Sequence, residues 1–337
     1  MLCLKVPLKD AEKAKKRLCS SQRFDTRYFA AKDKSFIYFP VTEKFNLADP
    51  EHKFVQRLLK KKEEHGNLKQ SLGKKLDEKE LKVLKRSVDV IGSIAIVEIP
   101  NELKKKEKLI AKEVMKTNKS VKTVLRKGKH EGVFRVQKLA YLAGEKTKET
   151  VHRENNVSLK LDVEKVYFSP RLSNDRKRIC RLIKKPERVL VMFSGCGPYV
   201  CAIAKNTPSA LVDGVEINPV GHEYARQNVL LNKLDQANVF LGDVREAVPG
   251  LGKNYDRILM PLPKSAAEYL DVALAVSKKG TVIHFYDFQL EGEFDKSVEK
   301  IHEACKAAGK QCRVLDIARC GQNAPRQFRI CVDFEVI

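Results

Sequence analysis

The sequence predicts an α/β protein: an open, largely parallel sheet over residues 167–337, preceded by two smaller α+β modules over 1–60 and 81–166. Two stretches and one charge asymmetry carry this reading. Residues 189–199 read VLVMFSGCGPY. The apolar run is too short for a globular helix and rich in β-branched residues, as in a strand covered on both faces. It breaks at Gly195 and Gly197, which lack a Cβ and so let the chain bend and a ligand approach the backbone. The segment after the turn, 199–205, can be a helix whose first N–H groups face it. The second stretch, 211–217 (LVDGVEI), is a strand that ends in Glu216. About twenty residues separate it from the glycines, the spacing at which a carboxylate accepts from a ribose diol. The asymmetry is in charge: of a net +23, residues 1–166 hold 41 Lys+Arg against 23 Asp+Glu, and residues 167–337 hold 25 against 20. The basic excess thus lies in the half without the glycine turn. There it would steer and hold a polyanion such as RNA; a solvated lysine-rich surface is the plainer reading of the same residues.

Composition narrows the class. A chain of 337 residues, 43% hydrophobic, is long enough for two or three domains. No apolar run is long enough to cross a bilayer, and MLCLKVPLKD lacks the layout of a secretory signal. Nine cysteines show no C-x-x-C pair and no zinc-like His/Cys spacing. Reduced thiols, a cytoplasmic location and no metal are therefore expected.

Taken in order, Leu2, Leu4 and Val6 alternate as in a strand, Asp10 is placed to cap a helix to Cys19, and 36–39 is a strand stopped by Pro40. Residues 51–62 read as a helix and 61–80 as a polar linker. In the second module 94–99 is a strand, Asn101 caps a helix over 102–115, 121–129 is basic and extended, and 150–154 and 157–163 pair as strands. Short strands with exposed Arg and Lys suit RNA contact and an ordinary α+β domain equally. In the third module a helix follows Pro170, with Ser173, Asn174 or Asp175 as its cap. Residues 222–232 form an amphipathic helix, 239–241 a strand closed by Gly242 and Asp243, and 255–260 a strand running into Pro261, Leu262, Pro263 and Lys264. That stiff loop would wall a pocket at the strand ends. A helix (265–276), a strand (281–286), a helix (294–308) and two strands (312–317, 327–335) complete it, with a polar loop over 321–326.

A glycine turn, an acid ending strand two and an acid after strand three recur in order in Rossmann-like S-adenosylmethionine-dependent methyltransferases. A dinucleotide dehydrogenase would want a third glycine where Cys201 and Ala202 stand. Seven strands with the last pair as a hairpin also match the methyltransferase sheet better.

Eight segments carry a closer resemblance: GVFRVQKLAYLAGE (132–145), HRENN (152–156), KVYFSPRL (165–172), MFSGCGPY (192–199), EINP (216–219), GDVRE (242–246), PLPK (261–264) and NAPR (323–326). With them the chain resembles the archaeal and eukaryotic tRNA guanosine-37 N1-methyltransferases over most of its length. The resemblance implies a class I methyltransferase with a seven-stranded mixed sheet over 167–337. It also implies a domain that checks tRNA shape over 1–60, a linker over 61–80 and a second RNA-contacting domain over 81–166. S-adenosylmethionine is the implied methyl donor, tRNA the partner, and a monomer the implied state.

The resemblance places cofactor contacts at Phe193, Gly195, Gly197, Pro198, Glu216, Ile217, Asn218, Asp243, Val244 and Leu262. Substrate contacts fall at Arg135, Arg171, Lys264, Asn323, Pro325 and Arg326, and catalytic roles at Arg135, Asp175, Tyr167 and Pro263. Arg135 would hold guanine O6 and Asp175 receive the N1 proton. Three positions depart from the family: Asp175 replaces its usual glutamate, Pro261 an asparagine and Val191 an acid. The bland readings are a helix-cap carboxylate for Asp175, a surface ion pair for Arg171, an interface residue for Tyr167, a packing residue for Cys196 and a structural histidine for His152. Two alternatives are an aminocarboxypropyl transferase of wyosine synthesis and a non-catalytic tRNA-binding relative. The former usually has glycine and asparagine after the junction proline, where this chain has Arg171 and Leu172.

Overall fold

The computed structural model describes residues 1–337 apart from 22, 48, 62–67, 74, 86, 133 and 135, and apart from the side chains of 129–131. It divides into two compact units, Met1–Asn67 and Leu68–Ile337. Among the described residues no helix is long and apolar enough to cross a membrane.

The first unit holds β1 (Leu2–Pro7), α1 (Ala11–Ser20), β2 (Ala31–Lys32), β3 (Phe36–Pro40) and β4 (Lys53–Gln56) in one sheet of order β2-β3-β1-β4. Strand β1 sets Leu4 opposite Phe39 on one side and Phe54 on the other. Helix α1 buries Ala14 and Leu18 on the core of Leu4, Val6, Phe39 and Val41. Asp10 stands at its N-cap without a side-chain bond to it. The helix expected over 51–62 is instead β4. Phe54 packs into the α1 core, whereas its neighbour Val55 packs on Cys3, Tyr38 and Leu59, and consecutive side chains on opposite faces require a strand.

The second unit opens with α2 (Leu68–Leu72), α3 (Glu78–Val83), β5 (Val88–Ile91), β6 (Ile94–Val97), α4 (Glu107–Thr117), β7 (Thr123–Glu131) and β8 (Val136–Gly144). Its sheet has the order β5-β6-β7-β8. Of the linker expected over 61–80, residues 62–67 and 74 lie outside the described residues, and most of the rest is structured. Leu72 and Leu76 pack with Leu84, Leu103 and Ile110, Ser71 and Lys75 bond Glu113 on α4, and Asp77 and Glu80 close a reciprocal capping box on α3. Asn101 makes no cap bond; it opens a 3-10 turn, Asn101–Lys106, ahead of α4.

The remaining elements are β9 (Glu149–Glu154), β10 (Val157–Asp162), α5 (Ser173–Leu182), β11 (Arg188–Val191), α6 (Pro198–Asn206), β12 (Leu211–Glu216), α7 (Pro219–Leu231), β13 (Ala237–Leu241), α8 (Val244–Gly250), β14 (Tyr255–Met260), α9 (Leu270–Ala275), β15 (Ser277–Leu290), α10 (Asp295–Ala307), β16 (Cys312–Ala324) and β17 (Gln327–Val336). The last seven strands form one sheet, β13-β12-β11-β14-β15-β17-β16, parallel except for β17, which runs antiparallel to both neighbours. Strand β11 pairs with β12 on one side and β14 on the other, so the chain changes its direction of growth there. A ligand crevice lies outside the carboxyl ends of strands at such a switch point. Val191, fully buried, sits between Gly214 and Leu259. The polar loop expected over 321–326 is shorter: β16 runs to Ala324, leaving Pro325 and Arg326 as the turn, the latter at φ 59°.

The β9–β10 hairpin packs on both layers. Leu161 joins Ile91, Ile94 and Leu125 of the preceding sheet. Val157 and Leu159 share a core with Ile179, Val189, Val191 and Tyr199. Two asparagines one turn apart on or just after α7 then act as a mock strand edge. Asn232 accepts from Ser158 N at 2.8 Å and donates to its carbonyl at 2.7 Å. Asn228 does the same for Lys160 at 2.7 and 3.0 Å and donates to Cys196 O at 2.9 Å.

Candidate active site

The glycine turn is built by its φ angles. Phe193, Gly195 and Gly197 lie at 58°, 57° and 80°, and Gly197 is the N-cap of α6, followed by Pro198 at the first helical position. That helix start suits proline, whose missing N–H is an orphan there in any case. A Cβ on Gly195 would sit 3.6 Å from Tyr167 O, so the junction before α5 runs directly past the turn. At the end of β12, Glu216 accepts from Gly195 N at 2.6 Å and Asn218 N at 2.8 Å, one on each oxygen. Burial pushes its carboxyl above the ordinary range, against those N–H groups. Each oxygen keeps acceptor capacity. Asn218 caps α7 through Val220 N at 3.0 Å and donates to Lys165 O at 2.9 Å. Asp243 caps α8 through Arg245 N at 2.8 Å, with Val244 buried behind it and Ile217 exposed.

Beside this turn lies a cavity of about 240 Å³ between the β5–β8 sheet and the larger one, lined among others by Asp89, Lys127, Tyr167, Ser169, Arg171, Cys320, Asn323 and Arg329. Tyr167 OH accepts from Arg329 Nη2 at 3.1 Å. The Arg329 guanidinium lies over the Phe288 ring at 5.2 Å, with Nε buried and unpartnered among the described residues. Arg171 donates to both oxygens of Asp89 at 2.8 and 3.1 Å. Cavity and glycine turn thus meet at Tyr167.

Asp175 stands behind the cavity wall. It is 5% exposed, and four donors reach its carboxylate: Tyr199 and Tyr286 OH on Oδ2, each at 2.6 Å, with Arg178 Nε at 2.8 Å and Cys320 Sγ at 3.2 Å on Oδ1. Burial raises its pKa, but Arg178 and the two tyrosines outweigh that and hold the group below the usual aspartate range. Asp175 is not among the residues that line the cavity, whereas Cys320, which bonds its Oδ1, is. The carboxylate is one bond shorter than glutamate, roughly 1.5 Å, and Cys320 stands in front of it. The helix-cap reading is also set aside, since α5 has no side-chain cap bond. Arg178 extends the network to Asp333 at 2.5 Å, then His284 Nδ1 at 2.6 Å; His284 Nε2 faces Arg257 at 2.7 Å, and Arg257 pairs with Glu187. Arginine only donates, so Nε2 accepts and His284 is neutral with its proton on Nδ1.

The other expected residues divide. Asn323 lines the cavity and donates to Gln327 Oε1 at 2.7 Å. Pro325 and Arg326 form the exposed β16–β17 turn. Leu262 closes a tight turn after β14, its N–H on Met260 O at 2.8 Å and its carbonyl accepting from Ala266 N at 2.9 Å; Pro263 is buried and Lys264 exposed. Arg135 lies outside the described residues. His152 accepts from Gly92 N at 3.1 Å and packs edge-on to Phe168, a structural role. Cys196 is fully buried, its thiol pushed up to about 12 by that burial. Sequence reasoning missed Asp89, Cys320 and Arg329, which only non-local strand pairing brings together.

The residues fit S-adenosylmethionine. The turn puts Gly195 where no side chain of its own crowds the crevice, Ser194 Oγ is buried there without a partner among the described residues, and two carboxylates stand at successive strand ends. Comparison with known proteins agrees. Family models match in order: a tRNA methyltransferase 5 N-terminal domain over 3–49, a TYW2 N-terminal domain over 68–147 and a TRM5/TYW2 methyltransferase domain over 150–315. The tRNA (guanine(37)-N(1))-methyltransferase Trm5b of Pyrococcus abyssi is 38% identical over 99% of both chains. The crystal structure of wild-type Trm5b from Pyrococcus abyssi covers 100% of this chain and 99% of its own, at TM-score 0.74 and 37% identity. The aTrm5 chain from its complex with tRNALeu covers 99% of each, at TM-score 0.72 and 30% identity. The chain belongs to the Trm5 family of S-adenosylmethionine-dependent tRNA (guanine-37-N1)-methyltransferases.

Proposed function

We propose that this chain methylates N1 of guanosine 37 in tRNA, acting as a cytoplasmic monomer. The observation that carries the reading is the meeting of cavity and glycine turn at Tyr167, because methyl transfer needs the acceptor base and the donor methyl group brought into direct contact. Bound S-adenosylmethionine supplies an electrophilic methyl group. Glu216 would accept from its ribose hydroxyls and Asp243 from its adenine amino group, with Phe193, Gly197, Pro198, Ile217, Asn218, Val244 and Leu262 around it.

The target guanine must leave its stack to enter the cavity, at a cost of a few kcal/mol that contacts must offset. Tyr167, Arg171, Asn323, Pro325, Arg326 and Lys264 are the proposed contacts, and Pro263 holds the loop that carries Lys264. As N1 loses its proton, negative charge grows on O6 and calls for a cationic donor. Arg135 is that donor by resemblance, and Arg329 stands in the same cavity. The net +18 of residues 1–166 supports broad phosphate contact.

The test is transfer of labelled methyl groups to tRNA transcripts bearing G or another base at position 37, followed by nucleoside analysis. The reading requires label in N1-methylguanosine from G37 alone. Aminocarboxypropyl transfer, the second reading, would instead label the product from the methionine side chain; Arg171 and Leu172 after Pro170 favour methyl transfer.

A further inference from the structure

Among the described residues, the cavity beside the glycine turn holds no free carboxylate. Asp89 is the one carboxylate among the described lining residues, and Arg171 occupies both its oxygens. Asp175 does not line the cavity. Cys320 does, and its thiol donates to Asp175 Oδ1. The position of Cys320 is built by a bulge in β16: Arg319 faces Ile330 and Gly321 faces Arg329, leaving residue 320 without an opposite partner. Bulges of this kind re-aim one side chain and concentrate near active sites. The thiol is turned inward, 9% exposed, bonded to the Asp175 carboxylate at 3.2 Å with Ala318 O at 3.5 Å as a longer alternative, and its sulfur borders the cavity.

Resting on the methyl-transfer reading, we infer that Cys320 is a further catalytic residue, a thiol relay that accepts the N1 proton of the target guanine as its own proton passes to Asp175. The step balances. The N1 electron pair forms the new N–C bond, and the electrons of the breaking C–S bond leave with the adenosyl thioether. The N1 proton moves to Sγ, the Sγ proton moves to Oδ1, and cysteine ends as a neutral thiol. Neither oxidant nor reductant is required. Tyr199, Tyr286 and Arg178 fix the receiving carboxylate, so that Oδ1 stays turned toward Cys320. The arrangement also accounts for aspartate at position 175: the side chain stops short by about one C–C bond, and sulfur fills the gap.

The test uses the full chain with a G37 transcript under single-turnover conditions, comparing wild type, Cys320→Ala, Cys320→Ser and Cys320→Ala combined with Asp175→Glu. Cofactor affinity and melting temperature are measured alongside to confirm folding. Cys320→Ala is expected to slow methyl transfer by about 10²-fold, the usual scale for losing a proton acceptor, with tRNA and cofactor affinity unchanged. Serine, which also donates and accepts, should restore most of the rate. Glutamate should do so too, by reaching through the space the sulfur vacated. A Cys320→Ala rate equal to wild type overturns the inference. So does a slowed Cys320→Ala that neither serine nor glutamate rescues, which would make Cys320 a packing residue. Absence of N1-methylguanosine with the wild-type chain overturns the parent reading, and the relay with it.

Discussion

Glu216 Oε2 accepts the N–H of Gly195 at 2.6 Å, so a carboxylate at the end of β12 holds the glycine turn that ends the neighbouring strand. Glu216→Ala should therefore weaken S-adenosylmethionine binding by about 1–3 kcal/mol, the scale of hydrogen bonds to a charged group. Calorimetry checks this. Burial raises the Glu216 pKa, so its ionised form is lost at a higher pH than for an exposed glutamate. Cofactor affinity should fall on acidification from that raised value, and in Glu216→Ala this fall should vanish. Unchanged affinity in the alanine variant would remove Glu216 from the site.

Arg176, 1% exposed, pairs with both oxygens of Glu154, and its Nη2 also reaches Ser169 O at 3.0 Å. Strand β9 is thereby tied to α5. Burial works against ionised Glu154, but His152 and Arg176 lower its pKa to about 2. A depressed carboxylate stabilises the fold above its unfolded pKa and loses that contribution as pH falls through the folded value. About 3 kcal/mol should disappear between roughly pH 4.5 and 2. Glu154→Gln, leaving Arg176 buried without its counter-charge, should cost about 3–5 kcal/mol in denaturant unfolding at neutral pH. A loss below about 1 kcal/mol would show that the pair does not anchor the hairpin.

Asp175 is held ionised by Arg178, Tyr199 and Tyr286. The single-turnover rate should then stay flat on acidification well past the usual aspartate range, where an ordinary base would already be protonated. Asp175→Asn should lower the rate by about 10²-fold or more. Asp175→Glu combined with Cys320→Ala should hold the rate, because the longer carboxylate then reaches the cavity through the space the sulfur vacates. An intact rate in Asp175→Asn would take Asp175 out of the proton path.

The basic excess of residues 1–166 should make tRNA affinity fall steeply with salt. Shortening the chain to start at Leu68, where the second unit begins with its own core, should preserve cofactor binding and reduce the preference for whole tRNA over an anticodon stem-loop. Gel-shift titrations of both RNAs read this. An undiminished preference would give the first unit another role.

The methyltransferase sheet was legible because each strand is a short apolar run punctuated by Gly, Pro or Asp, and the ligand-side residues sit at strand ends a local reading can find. Segments stabilised across the chain were harder. Residues 53–56 look helical among their charges, and only pairing with β1 makes them a strand. The linker reading over 61–80 passes over Leu68, Leu72 and Leu76, which recur every four residues, and Asp77-x-x-Glu80, a capping-box signature. The glycine turn and Glu216 were found from spacing. The donors around Asp175 come from α5, α6, β15 and β16, and no local pattern assembles them.

The most direct test of the account is methyl transfer by the purified full chain to tRNA transcripts differing only at position 37, with the product read by nucleoside analysis. The account predicts N1-methylguanosine from the G37 transcript, none from the others, and dependence on S-adenosylmethionine. No methyl transfer to G37 by a chain that binds both tRNA and the cofactor, or recovery of an aminocarboxypropyl product in its place, would contradict it.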